Sequence, residues 1–153
     1  MSTRAIQKLK KAKVAFEIIS YQHDQKGAAF AAHVTGFPLE QTIKTLITNL
    51  GGRKYAAALV PGDKQLDLKK LARVFEVKTA DMAAVPTAQR LSGYTVGGIS
   101  PFGMQQQLET VLEKSILNYA TITINAGKRG LMLQMAPPDI LAVLRCKVAD
   151  IVR

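Results

Sequence analysis

The chain has 153 residues, 48% of them hydrophobic, and carries 21 Lys and Arg against 11 Asp and Glu for a formal net charge of +10. That length buries one proper core and is short for two, so a single domain over residues 1–153 is expected. No run approaches the roughly 18 uninterrupted apolar residues of a bilayer span, and the first twenty residues alternate lysines with isolated apolar residues where a signal peptide needs a continuous apolar core; no membrane and a cytoplasmic location are the expectations.

Ile6, Leu9 and Ala12 recur about every three residues with Lys8, Lys10, Lys11 and Lys13 around them, which predicts an amphipathic first helix. Residues 16–21 read as a short strand, and residues 28–34 as an alanine-rich helix closed near Gly36 and Pro38. Strands are predicted over 44–49 and 55–60, joined by a hairpin at Gly51-Gly52. Pro61-Gly62 breaks the run, and Asp67 starts a helix whose stripe is Leu68, Leu71, Ala72 and Phe75. A further helix is expected over 80–91, interrupted near Val85-Pro86, with Thr87 as a candidate restarting cap. Residues 108–117 fit a helix by apolar spacing, yet 110–112 also suit a strand edge. Strands follow over 120–124 and 131–135, separated by a basic turn at Gly127-Lys-Arg-Gly130, and Pro137-Pro138-Asp139 opens a closing helix through Leu144. Because hairpins imply antiparallel neighbours, the expected fold is a mixed α/β or α+β domain with a mostly antiparallel, barrel-like sheet flanked by helices.

Chemistry-bearing residues are few. His23 and His33 are the only histidines, Cys146 is the only thiol, and no Cys/His spacing suits a metal, so neither a metal nor another cofactor is expected. Asp24 follows His23 closely enough to orient it, but no nucleophile signature accompanies the pair, and a surface His–Asp pair is the plainer reading. In Tyr94-Thr-Val-Gly-Gly-Ile-Ser-Pro-Phe-Gly103, two glycines leave bare main chain before Pro101, which suits either a strand-ending turn or the close approach of a ligand. No GxxxxGKS motif occurs; the shorter GKRG turn offers two cations, Lys128 and Arg129, beside flexible backbone N–H groups, for a phosphate or simply for solvent. Lys44, flanked by Ile43 and Leu46 in an apolar strand, either snorkels at an edge or donates from a pocket wall. The net positive charge points to an anionic partner, bound in a salt-sensitive way.

Five motifs coincide in order: Tyr21-Gln-His-Asp24, Lys44-Thr-Leu46, Gln65-Leu-Asp-Leu-Lys-Lys70, Ser92-Gly-Tyr-Thr-Val-Gly-Gly-Ile-Ser-Pro101 and Gly127-Lys-Arg-Gly130. Together they resemble the YbaK family of Cys-tRNA(Pro) deacylases, in the superfamily of the prolyl-tRNA synthetase editing domain. The resemblance implies a trans-editing enzyme that deacylates mischarged tRNA, with tRNA as substrate and prolyl-tRNA synthetase as a possible partner. An aminoacyl ester is already activated, so positioning and oxyanion stabilisation suffice without a triad. For cysteine the substrate's own thiol is implied to attack the carbonyl. Carried over by motif, Lys44 orients the substrate and the main chain of Gly97 lies against the reacting group. Tyr21, Phe30 and Thr45 shape the pocket, with Gly98, Ile99, Ser100 and Asn125 as further substrate-binding positions; Lys128 and Arg129, which the resemblance does not supply, are our own extension of the site towards the tRNA end. The sequence departs from the family pattern at Asn125-Ala126, where Ser-Gly is common, and at Met132, where a polar or acidic residue is common; both bear on amino-acid specificity. Alternatives are a deacylase for another mischarged tRNA such as Ala-tRNA(Pro), a non-catalytic tRNA- or synthetase-binding adaptor, and a hydrolase of small free esters or thioesters.

Overall fold

A computed structural model describes residues 2–22 and 28–153. Helix α1 (Arg4–Ala12) buries Ala5, Ile6 and Leu9. Its first turn is capped by Thr3, whose Oγ1 accepts the Ile6 N–H at 3.2 Å, and it closes on Lys13 in the left-handed region at φ 59. Burial of Ile6 and Leu9 contributes about 1.5–3 kcal/mol each, which is why so short a helix forms. Strand β1 (Phe16–Ser20) and helix α2 (Ala28–Thr35) follow, then β2 (Thr42–Gly51) and β3 (Lys54–Pro61). Asp67 caps α3 (Leu68–Val74), its carboxylate accepting from the N–H groups of Lys69 and Lys70 at 3.0 and 3.1 Å.

The next segment differs from its prediction. Asp81–Met82 forms a two-residue strand, β4, against β2, and α4 starts only at Val85 (Val85–Ser92), with Pro86 accommodated in its first turn. Ala84, not Thr87, occupies the cap position. Residues 108–117 resolve into β5 (Glu109–Glu113) and a 3₁₀ segment, Lys114–Asn118. Strand β6 (Ile122–Lys128) runs further than predicted, so Gly127 and Lys128 belong to the strand and only Arg129-Gly130 turn before β7 (Leu131–Met135). Helix α5 (Pro137–Leu144) begins on its two prolines, and a short unanticipated strand, β8 (Lys147–Ala149), ends the sheet.

The strands form one mixed sheet in the order β1-β7-β6-β2-β3-β5-β8, with β4 beside β2. Antiparallel pairing joins β1–β7, β7–β6, β2–β3 and β2–β4; β2–β6, β3–β5 and β5–β8 are parallel. Alternation along β3 supplies two cores. Ala57 and Leu59 join α1, α4, α5, Phe102 and the β6–β7 residues in one cluster, whereas Ala56, Ala58 and Val60 pack with Leu71 and Ala72 of α3 and with Phe75, its C-cap, in the other. Central strand β2 contributes Ile43 and Ile47 to the first and Leu46 and Leu50 to the second. Among the described residues no helix is long and apolar enough to cross a membrane.

Candidate active site

The site begins as an interruption in the sheet. On one edge β2 pairs with β3 from Ile43 to Gly51. On the other edge it pairs with β6 only at Thr42 and Ile43 and with β4 only at Thr48 and Asn49. Among the described residues, 44–47 therefore have no strand partner on that side; the Ile47 carbonyl is met by the Ala83 N–H at 3.0 Å. Backbone direction alternates along a strand, so Thr45, like Ile47, turns its main-chain groups to this open edge.

A pocket of about 190 Å³ opens at the gap. That is the room of about six liquid waters, enough for a small aminoacyl group. Strand β2 supplies Lys44 and Thr45; the cross-strand pair Asn125 and Met132 comes from the β6–β7 hairpin; Ala28 and Ala31 come from α2. Tyr21, held by its own N–H on the Gly130 carbonyl at 2.9 Å, also lines it, and its ring packs against Phe30 at 6.4 Å between centroids. Burial raises the Tyr21 phenol above its ordinary value, the contact with Gly130 opposing, so near neutrality it is an uncharged donor.

The opposite wall is the glycine segment. The Gly98 N–H closes on the Thr95 carbonyl at 2.9 Å, making a four-residue turn. Gly97 occupies its third position at φ 99, the geometry of a type II turn, which strongly favours glycine there. The Val96 carbonyl accepts both Nε and an Nη of Arg129 at 3.2 and 3.1 Å. A Cβ on Gly98 would lie 2.9 Å from the backbone of Lys128 and Arg129. What approaches the bare main chain most closely is thus the protein's own GKRG segment, which braces the turn and leaves Gly97 and Ile99 on the pocket. Deeper support comes from Tyr94, whose hydroxyl donates to the Phe102 carbonyl at 2.7 Å, and from Arg4, stacked on the Tyr94 ring and donating to Gly103 and Ser92 carbonyls.

Two polar groups of β2 define the chemistry. The Lys44 ammonium donates to the Lys64 carbonyl at 2.8 Å, and partial burial lowers its pKa, with Asp63 opposing more weakly. Thr45 Oγ1 is buried and, among the described residues, has no hydrogen-bond partner. Such a hydroxyl costs stability unless something arrives to satisfy it. Among the described residues none that lines the pocket is His, Cys, Asp or Glu, and the Cys146 thiol lies elsewhere with its pKa raised by burial. The arrangement can hold and polarise an activated acyl group; among the described residues no His, Asp or Glu base stands beside a nucleophile there.

The structure brings together six of the expected site residues: Tyr21, Lys44, Thr45, Gly97, Ile99 and Asn125 all line the pocket. Phe30 stands behind Tyr21, Gly98 is packed against the GKRG segment, and Ser100 is fully buried, its Oγ accepting the Phe102 N–H at 3.3 Å. Lys128 and Arg129 lie outside the lining, both exposed, with Arg129 tied to Val96. His23 and Asp24 lie outside the described residues. Sequence reasoning missed Ala28, Ala31, Thr42 and Val96 as lining residues, noted Ile43 and Leu46 only as the apolar flanks of Lys44, and noted Met132 only as a departure. Hairpin register could have found Met132, because it faces Asn125 directly across β6–β7.

An interrupted mixed sheet thus carries a small pocket with one ammonium, that of Lys44, among its described lining residues and a braced glycine turn as its wall. Residues 23–143 match the family model described as the aminoacyl-tRNA editing domain. An Enterococcus faecalis protein provisionally named Cys-tRNA(Pro)/Cys-tRNA(Cys) deacylase EbsC is 32% identical over 151 residues, 97% of this chain and 92% of the relative. The multifunctional Ser/Thr-tRNA deacylase ProXp-y of Escherichia coli K12 is 23% identical over 139 residues, 88% of this chain and 83% of the relative. A crystal structure provisionally described as a trans-editing enzyme for prolyl tRNA synthetase superposes with a TM-score of 0.90 at 24% identity, covering 100% of this chain and 99% of the other, and shares the fold. The chain belongs to the aminoacyl-tRNA editing domain family.

Proposed function

We propose that this chain, as one editing domain over residues 1–153, deacylates mischarged tRNA in the cytoplasm, with Cys-tRNA(Pro) as its preferred substrate and prolyl-tRNA synthetase as the enzyme whose errors it clears. The observation that carries the reading is the small pocket at the open edge of β2, lined by Lys44, Thr45, Asn125 and the Gly97 turn and, among the described residues, by no His, Cys, Asp or Glu. The 32% identity to a relative provisionally named for Cys-tRNA(Pro) supports cysteine.

In this mechanism the substrate's own thiol attacks its ester carbonyl carbon. The new C–S bond closes a cyclic thioester, the C–O bond to the ribose breaks, and the thiol proton passes to the departing ribose oxygen. This lyase-type release leaves free tRNA, and water then opens the ring to cysteine. Lys44 exchanges its surface contact with the Lys64 carbonyl for the substrate carbonyl, and the Gly97 main chain fixes the acyl group beside it. Synthetases cannot reject every small analogue by binding alone, which gives such a second site its use.

Single-turnover hydrolysis of tRNA(Pro) charged with Cys, Ala, Ser, Thr or Pro tests the reading. Cysteine is expected to be released fastest, and replacing its thiol by a methyl group is expected to abolish release. No turnover of any member by folded protein contradicts the reading, and tRNA binding without turnover makes the chain an adaptor. A second reading, release of a hydroxyl amino acid, is favoured by the unpartnered Thr45 hydroxyl, and fastest release of Ser or Thr in the same panel would establish it.

A further inference from the structure

A second concavity lies where α1, α5 and the segment following the glycine turn meet. Three adjoining recesses of about 130, 410 and 460 Å³ share Gln107 and Leu144 and so form one groove. Four cations line it, Lys8, Lys11, Arg145 and Lys147, with Glu109 as the single carboxylate. Their placement follows from the fold. Lys8 and Lys11 stand about one turn apart on the same face of α1. Arg145 caps α5 in the left-handed region at φ 51, and Lys147 opens β8, the last strand of the sheet.

All four side chains are exposed, and among the described residues none of them makes an ion pair or a hydrogen bond. Three basic residues elsewhere are committed, Lys70 to Asp150, Arg4 to carbonyls of the glycine segment and Arg129 to Val96, whereas exposed Lys54, Lys69, Arg73 and Lys78 are as uncommitted as the groove cations but do not line the groove. Four uncommitted cations around one groove are complementary to a run of phosphates. None of the exposed large hydrophobic residues lines the groove, so it lacks the apolar anchor of a membrane-surface site. The groove and the pocket are lined by residues two positions apart in one segment. Ile99 lines the pocket and Pro101 the groove, and two residues of chain span at most about 7 Å.

We propose that this groove holds the phosphate backbone of the RNA whose aminoacyl end enters the β2 pocket, through Lys8, Lys11, Arg145 and Lys147. The proposal rests on the reading of the substrate as a charged tRNA. Each phosphate contact releases counterions, so the groove sets both affinity and its salt dependence.

The test uses uncharged tRNA(Pro) and the variant Lys8→Ala/Lys11→Ala/Arg145→Asn/Lys147→Ala, with asparagine at 145 because it tolerates a left-handed backbone. The control Lys54→Ala/Lys69→Ala/Arg73→Ala/Lys78→Ala removes the same charge from exposed positions elsewhere. In a salt titration the groove variant is expected to bind about ten-fold or more weaker, its log–log salt slope shallower by about 3, while the control stays within about three-fold. Should the groove variant unfold by circular dichroism, Lys8→Glu/Lys11→Glu is the second probe, with the same direction expected. Equal losses in both variants, no loss in either, or no tRNA binding by the unaltered protein would each overturn the groove. Amino-acid release separates the two claims. Groove-dependent binding without release from any charged tRNA sinks the catalytic reading and leaves the groove, whereas release with unchanged half-saturation in the groove variant does the reverse.

Discussion

The two edges of β2 belong to one strand and are used differently. Towards β3 the ladder runs from Ile43 to Gly51; towards β6 and β4 it lapses between 44 and 47. Thr48, where both neighbours pair, donates its hydroxyl to the Ala56 carbonyl at 2.8 Å in a fully buried position. Thr45, three residues earlier, holds a buried hydroxyl with no partner among the described residues. Where the ladder is complete, polar groups satisfy one another and contribute stability. Where it lapses, main chain and side chain are left for something else, which is the stability cost that binding sites commonly carry.

Disabling the open edge outright is expected to have the largest effect. Lys44→Ala lowers single-turnover deacylation by about 10²- to 10³-fold while the melting temperature stays close to wild type, because only one exposed hydrogen bond is lost. Unchanged release would remove Lys44 from the site. Next comes the wall facing it. In Gly98→Ala the new methyl meets backbone at 2.9 Å, which cannot yield as a flexible side chain does; a loss of about 1–3 kcal/mol by denaturant unfolding and about ten-fold or more in rate are expected. Arg129→Ala removes two bonds to the Val96 carbonyl and is expected to cost about 1 kcal/mol, with a several-fold loss of rate. An unaltered rate would confine the GKRG brace to stability.

The smallest and most particular expectation concerns pH. Burial lowers the Lys44 pKa below the ordinary 10.5, so the ammonium that holds the substrate is lost as pH rises through that lowered value. Enzyme-dependent release, corrected for spontaneous ester hydrolysis, should fall on an alkaline limb below 10.5, and Lys44→Arg should shift the limb upward. The stability contribution has the opposite sign. The folded state binds fewer protons at Lys44 than the unfolded chain, so stability rises with pH across the same window. A limb unmoved by Lys44→Arg would assign the titration to another group.

Elements specified by local chemistry were readable in the sequence. Helix α1 declares itself by the spacing of Ile6 and Leu9, α3 by the Asp67 cap and α5 by Pro137-Pro138. Segments whose state depends on distant partners were not. Asp81–Met82 becomes a strand because β2 offers an edge there, and Pro86, read as an interruption, sits where the first helical turn tolerates it. Three residues at Lys147–Ala149 carry no periodicity and become β8 through parallel pairing with β5. The site follows the same division. Lys44 and Gly97 were marked by residue type and Thr45 by the family resemblance, but the gap that unites them is a property of two ladders ending in different places, and the Arg129–Val96 brace joins residues 33 positions apart.

The sharpest test of the open-edge account sets Thr45→Val against Thr48→Val in single-turnover release of cysteine from Cys-tRNA(Pro), with unfolding free energies measured alongside. Thr45→Val is expected to lose about ten-fold in rate with stability unchanged or up to about 1 kcal/mol higher, and Thr48→Val to keep its rate while losing about 1 kcal/mol. Equal rates in the two variants, or a loss of rate confined to Thr48→Val, would contradict the placing of the acyl group at the open edge of β2.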